Sequence, residues 1–547
     1  MRIGLLTEGG YPYATGDARL WCDRLVRGLE GHEFEIFALS RSAEQEQRGR
    51  VPLPPHVTRV HTAPLWAPAD DFKRWGPKGL RRRVVVGDGR AYGRRERRRF
   101  AGHFKELVAG VCTGAPEPFA DGLYGLAELA RDEGGLSAAL RSETAVRALE
   151  AACRAPGANR TAQGAQVTDL LGFVDQLERA LRPLALDWAD RLGRVDVCHA
   201  TAGGVAALPG LLAKRFCGVP LLVTEYGVQL RAHYLERAGE PLTPAVRALL
   251  AAFHGRLAGE IYRSADLLTP GNVHARRWQE RCGADRAKLR TVYPGMEADR
   301  FATVGEAADQ GDPLTLVWVG RIEPAKDVIG LLHAFTEVRK AEPDARLRLF
   351  AAPARTAESA AYLAHCQALA AQLFPDEAAD AVTVGESPVS FEEIGGPAAP
   401  RLADAYAAGR VVVLASVVEG FPVSLAEAMF CGRATVSTDV GAVCEVIGGT
   451  GLVVPPRNPR ALAEACLALL GDPERAARLG AAARARALEL FTVEQNLAAF
   501  RSLYLELISH SPARGAADRV PFGLPAEARV PGRWTAPGWA ATTEVTA

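Results

Sequence analysis

A chain of 547 residues, 48% of them hydrophobic, is too long for one ordinary core, so two large domains with additions are expected. Its formal net charge of +1 provides no global field for nucleic acid or an anionic membrane, and no apolar run approaches the ~20 residues of a membrane span. The ten cysteines are scattered without a Cys-x-x-Cys pair or a histidine cluster, a pattern that reads as buried, reduced thiols in a cytoplasmic protein and not as a disulfide framework or a zinc site.

The N-terminus, Arg2–Thr7, reads as a β-strand, and its apolar part is too short for a signal peptide. A loop from Glu8-Gly9-Gly10 to Gly16 follows, then a helix over Asp17–Leu29 and a strand over Glu35–Leu39. This βαβ unit sets Gly10 and Gly16 at the carboxyl end of the first strand, where open α/β sheets bind ligands. Residues 66–165 break the rhythm. Arginine clusters at Arg81–Arg83, Arg94-Arg95 and Arg97–Arg99 make a solvated, basic helical insertion the expectation, with an anionic partner surface as the sharper alternative. Strands resume at Val195–His199, Pro220–Thr224, Asp266–Thr269 and Leu289–Tyr293, with helices between them. The small, polar and acidic stretch Ala302–Pro313 marks a domain boundary.

A second α/β series begins at Leu314–Val319 and continues with strands at Arg346–Phe350, Val382–Val384, Val411–Leu414, Ala434–Ser437 and Gly451–Val454. The expected organisation is therefore a domain over 1–301 and a domain over 313–492. An amphipathic helix over 493–510 and a tail over 511–547, rich in Pro, Gly, Ala and Thr, complete the chain. No repeat of solenoid type is present.

The most informative stretch is Val411–Gly432. An apolar strand ends at Ala415-Ser416, a turn carries Glu419, Gly420, Phe421 and Pro422, and a helix beginning near Val423 bears Glu427 and stops near Gly432. Pro422 suits a first helical turn and Gly432 the position just past a helix end. Free amides at that helix start, between two carboxylates eight positions apart, suit a polyhydroxylated ligand carrying phosphate. Gly320 closes the first strand of the second domain, and Arg321 and Lys326 flank the loop after it. A guanidinium fork and a point-charge ammonium can grip a diphosphate. A glycosidase pair of carboxylates is a competing reading of Glu419 and Glu427, disfavoured because both sit on one βα unit. His199 and Tyr226, at strand ends of the first domain, are candidates to line the cleft; His254, within an apolar helix pattern, reads as structural.

These residues carry a resemblance. Gly320-Arg321 with Lys326, the Glu419–Glu427 unit with its Gly-Phe-Pro, Cys431-Gly432, Asp439-Val440-Gly441-Ala442, Gly451–Pro456 and Phe491-Thr492 resemble the retaining glycosyltransferases of family 4, which have the GT-B fold. Glu8–Tyr13, Trp21, His199-Ala200 and Leu222–Gly227 look like the cytosolic glycosyltransferase of Pel exopolysaccharide systems. The resemblance implies two Rossmann-like domains facing across a cleft, a nucleotide-sugar donor (a UDP-sugar) and a glycan or lipid-linked acceptor. It also implies no metal and no cofactor; the basic insertion adds peripheral association with a membrane polysaccharide complex as an expectation. Arg321 and Lys326 would stabilise the departing diphosphate, and Glu427 would bind the ribose. Glu419 and the backbone amides after it, in the turn Gly420-Phe421-Pro422-Val423, would hold the donor sugar, and the Gly10–Gly16 loop would approach the phosphate from the other domain. Two positions depart from the pattern: Gly16-Asp17 stands where a Gly-Gly pair is usual, and Tyr226 where His is usual. A nucleotide-sugar epimerase, a glycan phosphorylase and a non-catalytic nucleotide-sugar-binding subunit of a polysaccharide complex remain as alternatives.

Overall fold

The computed structural model describes residues 1–13, 19–65, 92–235, 242–309, 311–354, 356–376 and 386–511. Six strands form the first sheet: β1 (Arg2–Glu8), β2 (Glu33–Ser40), β3 (Val57–Pro64), β4 (Val197–Ala200), β5 (Leu221–Glu225) and β6 (Leu267–Pro270). They run parallel in the order β3-β2-β1-β4-β5-β6. The second sheet comprises β7 (Asp312–Gly320), β8 (Arg346–Ala351), β9 (Val389–Glu393), β10 (Gly409–Leu414), β11 (Ala434–Thr438) and β12 (Leu452–Val454), in the order β12-β11-β10-β7-β8-β9. Both sheets thus repeat one doubly wound order, whose direction reverses between the first and fourth strands of each half. Central strands such as β4 and β5 are buried along their whole length, as expected for parallel strands covered on both faces.

Each sheet anchors one α/β domain, and four of the expected details differ. The insertion is helical and longer than expected. After the helix Arg94–Thr113, helices continue through Val167–Leu181 to Trp188–Leu192, well beyond residue 165. Its Phe100, Phe104, Leu123, Phe173 and Leu177 share one core with Leu6, Phe37 and Val223 of the first sheet, so it covers one sheet face. The expected strand Leu289–Tyr293 is reduced to a single bridge from Leu289 to Leu268. The sixth place is taken instead by β3, a half-exposed edge strand. The expected boundary at Ala302–Pro313 begins inside a helix, Asp299–Gly305, whose Phe301 stacks on Phe430 of the second domain. The expected helix over Asp17–Leu29 runs from Arg19 to Gly28. Gly16, Asp17, Arg81–Arg83, the expected strand Val382–Val384 and the tail from 512 lie outside the described residues.

The opposite face of the first sheet is covered from the far end of the chain. The helix Val493–Ser509 returns to place Phe500, Leu503, Tyr504 and Leu507 against Ile3, Leu5, Val197 and Leu222. Arg94, Arg95, Arg97 and Arg98 are exposed on the insertion's first helix, which fits the solvated reading. The ten cysteines are free thiols. Among the described residues no helix is long and apolar enough to cross a membrane.

Candidate active site

The switch point of the second sheet lies between β7 and β10, and the sequence's charged motifs flank it. The loop after β7 carries Arg321 and Lys326, and the loop after β10 carries Glu419. The loops are tied by the Val417 amide donating to the Ala325 carbonyl at 2.9 Å. The Lys326 ammonium pairs with the Glu419 carboxylate, whose side chain is only 7% exposed. The Ser416 hydroxyl donates to the same carboxylate oxygen at 2.7 Å. A carboxylate this deeply placed needs such partners, because desolvating it unpaired is expensive. Arg321 is held differently. It is half-exposed, and its guanidinium lies 3.7 Å from Glu323, a surface pair of small worth.

The loop conformation depends on Gly441, after β11. Its φ is +60°, and a Cβ there would lie 2.4 Å from the carbonyl oxygen of Glu419. The Ala442 amide donates to the Gly420 carbonyl at 3.1 Å. Phe421 packs edge-on against Phe491 at 5.6 Å. The helix then runs from Val423 to Phe430, with Pro422 at its N-cap, one residue earlier than the first-turn place expected for it. The carbonyl of Pro422 accepts from the amides of Leu425 and Ala426. Gly432, at φ +66°, follows the Cys431 C-cap as expected.

Glu427, partly buried on this helix, accepts a hydrogen bond from the Tyr406 hydroxyl at 2.6 Å. Burial raises its pKa to about 7, partly opposed by that bond and by Arg300 and Arg24. Glu419 and Glu427 thus occupy different environments. One is ion-paired to a lysine; the other has a neutral phenol as its hydrogen-bond donor.

The first domain brings its strand ends to the same cleft. Gly10 lies buried in the loop after β1, its carbonyl accepting from the Tyr13 amide at 2.9 Å. Glu8, at the end of β1, has its pKa raised to about 7 by burial, with Arg41 pulling the other way. Tyr226, after β5, packs edge-on against Trp21 at 5.0 Å, and its oxygen accepts from the Asn496 amide at 2.9 Å. Its hydroxyl is therefore tied to the returning helix.

His199 does not line the cleft as expected. It is fully buried, with one ring nitrogen 2.7 Å from the Tyr504 hydroxyl and the other 2.6 Å from the Thr224 hydroxyl. Burial lowers its pKa to about 3, so it is a neutral joint between β4, β5 and the returning helix. His254 is structural, as expected: it lies partly buried beside Phe253 and His233, and burial, helped by His233, lowers its pKa to about 4.

Three contributors were not foreseen. Arg231 of the first domain donates to the Glu419 carbonyl at 2.8 Å. Glu445 of the second domain accepts from the Val273 amide at 2.7 Å and the Tyr293 hydroxyl at 2.9 Å. Tyr406 supplies the hydrogen bond to Glu427. Each lies far in sequence from its partner, and no local pattern marks it.

Two doubly wound domains, a cleft at their strand ends and a returning C-terminal helix define the GT-B class. Anabaena HepE in complex with UDP shares this fold, with a TM-score of 0.53 at 14% identity over 92% of this chain and 99% of that one. A family model described as "Glycosyl transferases group 1" matches residues 313–472, and one described as "Domain of unknown function (DUF3492)" matches residues 1–287. D-inositol 3-phosphate glycosyltransferase of Kribbella flavida is 30% identical over 325 residues, which cover 57% of this chain and 72% of that protein. Its counterpart from Kineococcus radiotolerans is 33% identical over 258 residues, 43% of this chain and 56% of that protein. The match therefore spans little more than half of the Kineococcus relative. The chain belongs to the group 1 glycosyltransferases, a family of transferase enzymes, with a first half of the DUF3492 type.

Proposed function

We propose that the protein is a retaining, metal-independent family 4 glycosyltransferase that moves a sugar from a UDP-sugar to a glycan or lipid-linked acceptor, in exopolysaccharide synthesis of the Pel type. The observation that carries this reading is the Lys326–Glu419 ion pair at the β7/β10 switch point, one loop away from a helix start and Glu427. Lys326 and, after a side-chain turn, Arg321 would meet the diphosphate. Negative charge grows there as the glycosidic bond breaks, so preorganised cations stabilise the transition state more than the ground state. The ribose hydroxyls would donate to Glu427. Glu419 and the amides at the helix start would hold the sugar's hydroxyls. Closure of the first domain over this surface would exclude water and favour transfer over hydrolysis. UDP is preferred because Anabaena HepE, with this fold, holds it. The exposed arginines of the insertion would serve a peripheral contact with a membrane polysaccharide complex.

The test is calorimetric titration with UDP, GDP and ADP in the presence of a chelator, on the wild type and on Arg321→Ala and Lys326→Ala. Binding of UDP by the wild type, weakened in both variants, is the expected result. Transfer should fall by about 10²–10³-fold in Lys326→Ala, the usual loss for one preorganised group that stabilises transition-state charge. A folded wild type that binds no nucleotide, or variants with undiminished turnover, would remove the assignment.

A further inference from the structure

We infer that Arg231 is a positioning residue that couples closure of the two domains to the geometry of the Glu419 loop; this rests on the donor-site reading above. Arg231 belongs to the helix Gln229–Leu235 of the first domain, yet its guanidinium donates across the cleft to the Glu419 carbonyl at 2.8 Å. The group it holds is the backbone of the residue whose side chain pairs with Lys326. The same carbonyl is approached closely by Gly441, where a Cβ would lie 2.4 Å from it. The Glu419 peptide thus meets both a glycine of its own domain and a cation of the opposite one.

Arg231 is part-buried, and burial works against its charge, partly offset by the nearby Glu419 carboxylate, while its hydrogen bond goes to the neutral carbonyl. A partly desolvated guanidinium satisfied by one backbone oxygen is a costly arrangement, retained where it orders something. A second contact across the cleft sets the approach: Glu445 accepts from the Val273 amide and the Tyr293 hydroxyl, beside the helix that follows β6. Glu445 thus ties the first domain to the helix Val443–Ile447, which follows Gly441-Ala442, and Arg231 carries the approach of the domains to the Glu419 carbonyl itself. The fork of Arg231 has further N–H groups beyond the one that meets this carbonyl, so the contact does not exhaust its donors.

The decisive experiment needs no turnover. Amide exchange is followed across residues 419–425 in the wild type, Arg231→Ala and Arg231→Lys, each with and without UDP. Wild-type protection in the presence of UDP, lost by at least tenfold in Arg231→Ala and partly restored in Arg231→Lys, is the expected outcome. Equal exchange in all three proteins overturns the proposal. Where a UDP-sugar is turned over, Arg231→Ala should lower kcat by 10–100-fold while UDP affinity stays within about twofold. Parallel loss of kcat and UDP affinity would make Arg231 a nucleotide ligand and also overturn it. Failure of the donor-site reading shows separately, as absence of UDP binding by the wild type. In that case the exchange difference without UDP decides on Arg231 alone.

Discussion

Glu427 offers a sharp test of the site's electrostatics. Its pKa stands at about 7 in the folded protein against an ordinary 4.5, chiefly through burial. Below pH 4.5 the carboxyl is protonated whether the chain is folded or not, and it imposes no penalty. Between 4.5 and 7 the unfolded chain releases the proton and the folded one keeps it, so stability falls with rising pH. Above 7 both forms are ionised and the loss is complete. A difference of 7 − 4.5 = 2.5 pKa units corresponds to about 3 kcal/mol at about 1.4 kcal/mol per unit. Glu427→Gln keeps the size and an acceptor for the Tyr406 hydroxyl but cannot ionise. The variant should therefore match the wild type near pH 4.5 and exceed it by a growing margin up to pH 8, reaching roughly 6–12 °C in Tm for a domain of this size. Thermal unfolding of both proteins at pH 5, 6, 7 and 8 measures the margin. Glu8, which also titrates at about 7, contributes equally to both curves and cancels. A margin that stays flat across this range would refute the reasoning. UDP should narrow the margin at pH 8, because ribose hydroxyls donating to the carboxylate favour its ionised form.

Gly441→Ala places a Cβ at 2.4 Å from the Glu419 carbonyl oxygen, at a φ of +60°, and neither neighbour is a flexible side-chain end. The left-handed conformation alone costs about 1–2 kcal/mol; the displaced loop should also lower kcat by more than tenfold, measurable beside a Tm that falls only a few degrees. His199→Ala removes the hydrogen-bond partner shared by Tyr504 and Thr224 and opens a cavity under β4, so a loss of about 2–4 kcal/mol is expected in denaturant unfolding, with UDP affinity of the folded fraction unchanged. A weakened UDP affinity in that variant would return His199 to the site.

The second domain was legible because its signals are local. Val411–Gly432 contains a strand, a turn, a helix and their punctuation within one short segment, so reading it in order also placed Glu419 in the turn and Glu427 on the helix. Edge strands were harder. β3 and β9 are half-exposed, so their residues lack the continuous apolar run that betrays β4 or β10. The extent of the insertion was misjudged for a related reason. Helices such as Val167–Leu181 carry the same 3.6-residue period whether they cover a sheet or extend a subdomain, and only packing against Phe37 and Val223 distinguishes the cases.

His199 and Arg231 show where residue type alone misleads. A histidine at a strand end in a parallel sheet is a reasonable ligand candidate, but its role is decided by which way the strand turns it. Here it meets Thr224 and Tyr504, the latter contributed 305 residues later in the chain. Arg231 has the opposite history: an unremarkable cation after β5 becomes significant only because the second domain presents the Glu419 carbonyl to it. The proposed donor site is written in contiguous motifs because one βα unit supplies both carboxylates. The contacts across the cleft are written in pairs such as Arg231–Glu419 and Val273–Glu445, and neither has a period or spacing of its own. Substitutions in the first set should therefore remove binding or chemistry. Substitutions in the second should leave UDP binding in place and loosen the closed state in which transfer outcompetes hydrolysis, a separation that the ratio of donor hydrolysis to transfer in Arg231→Ala measures directly.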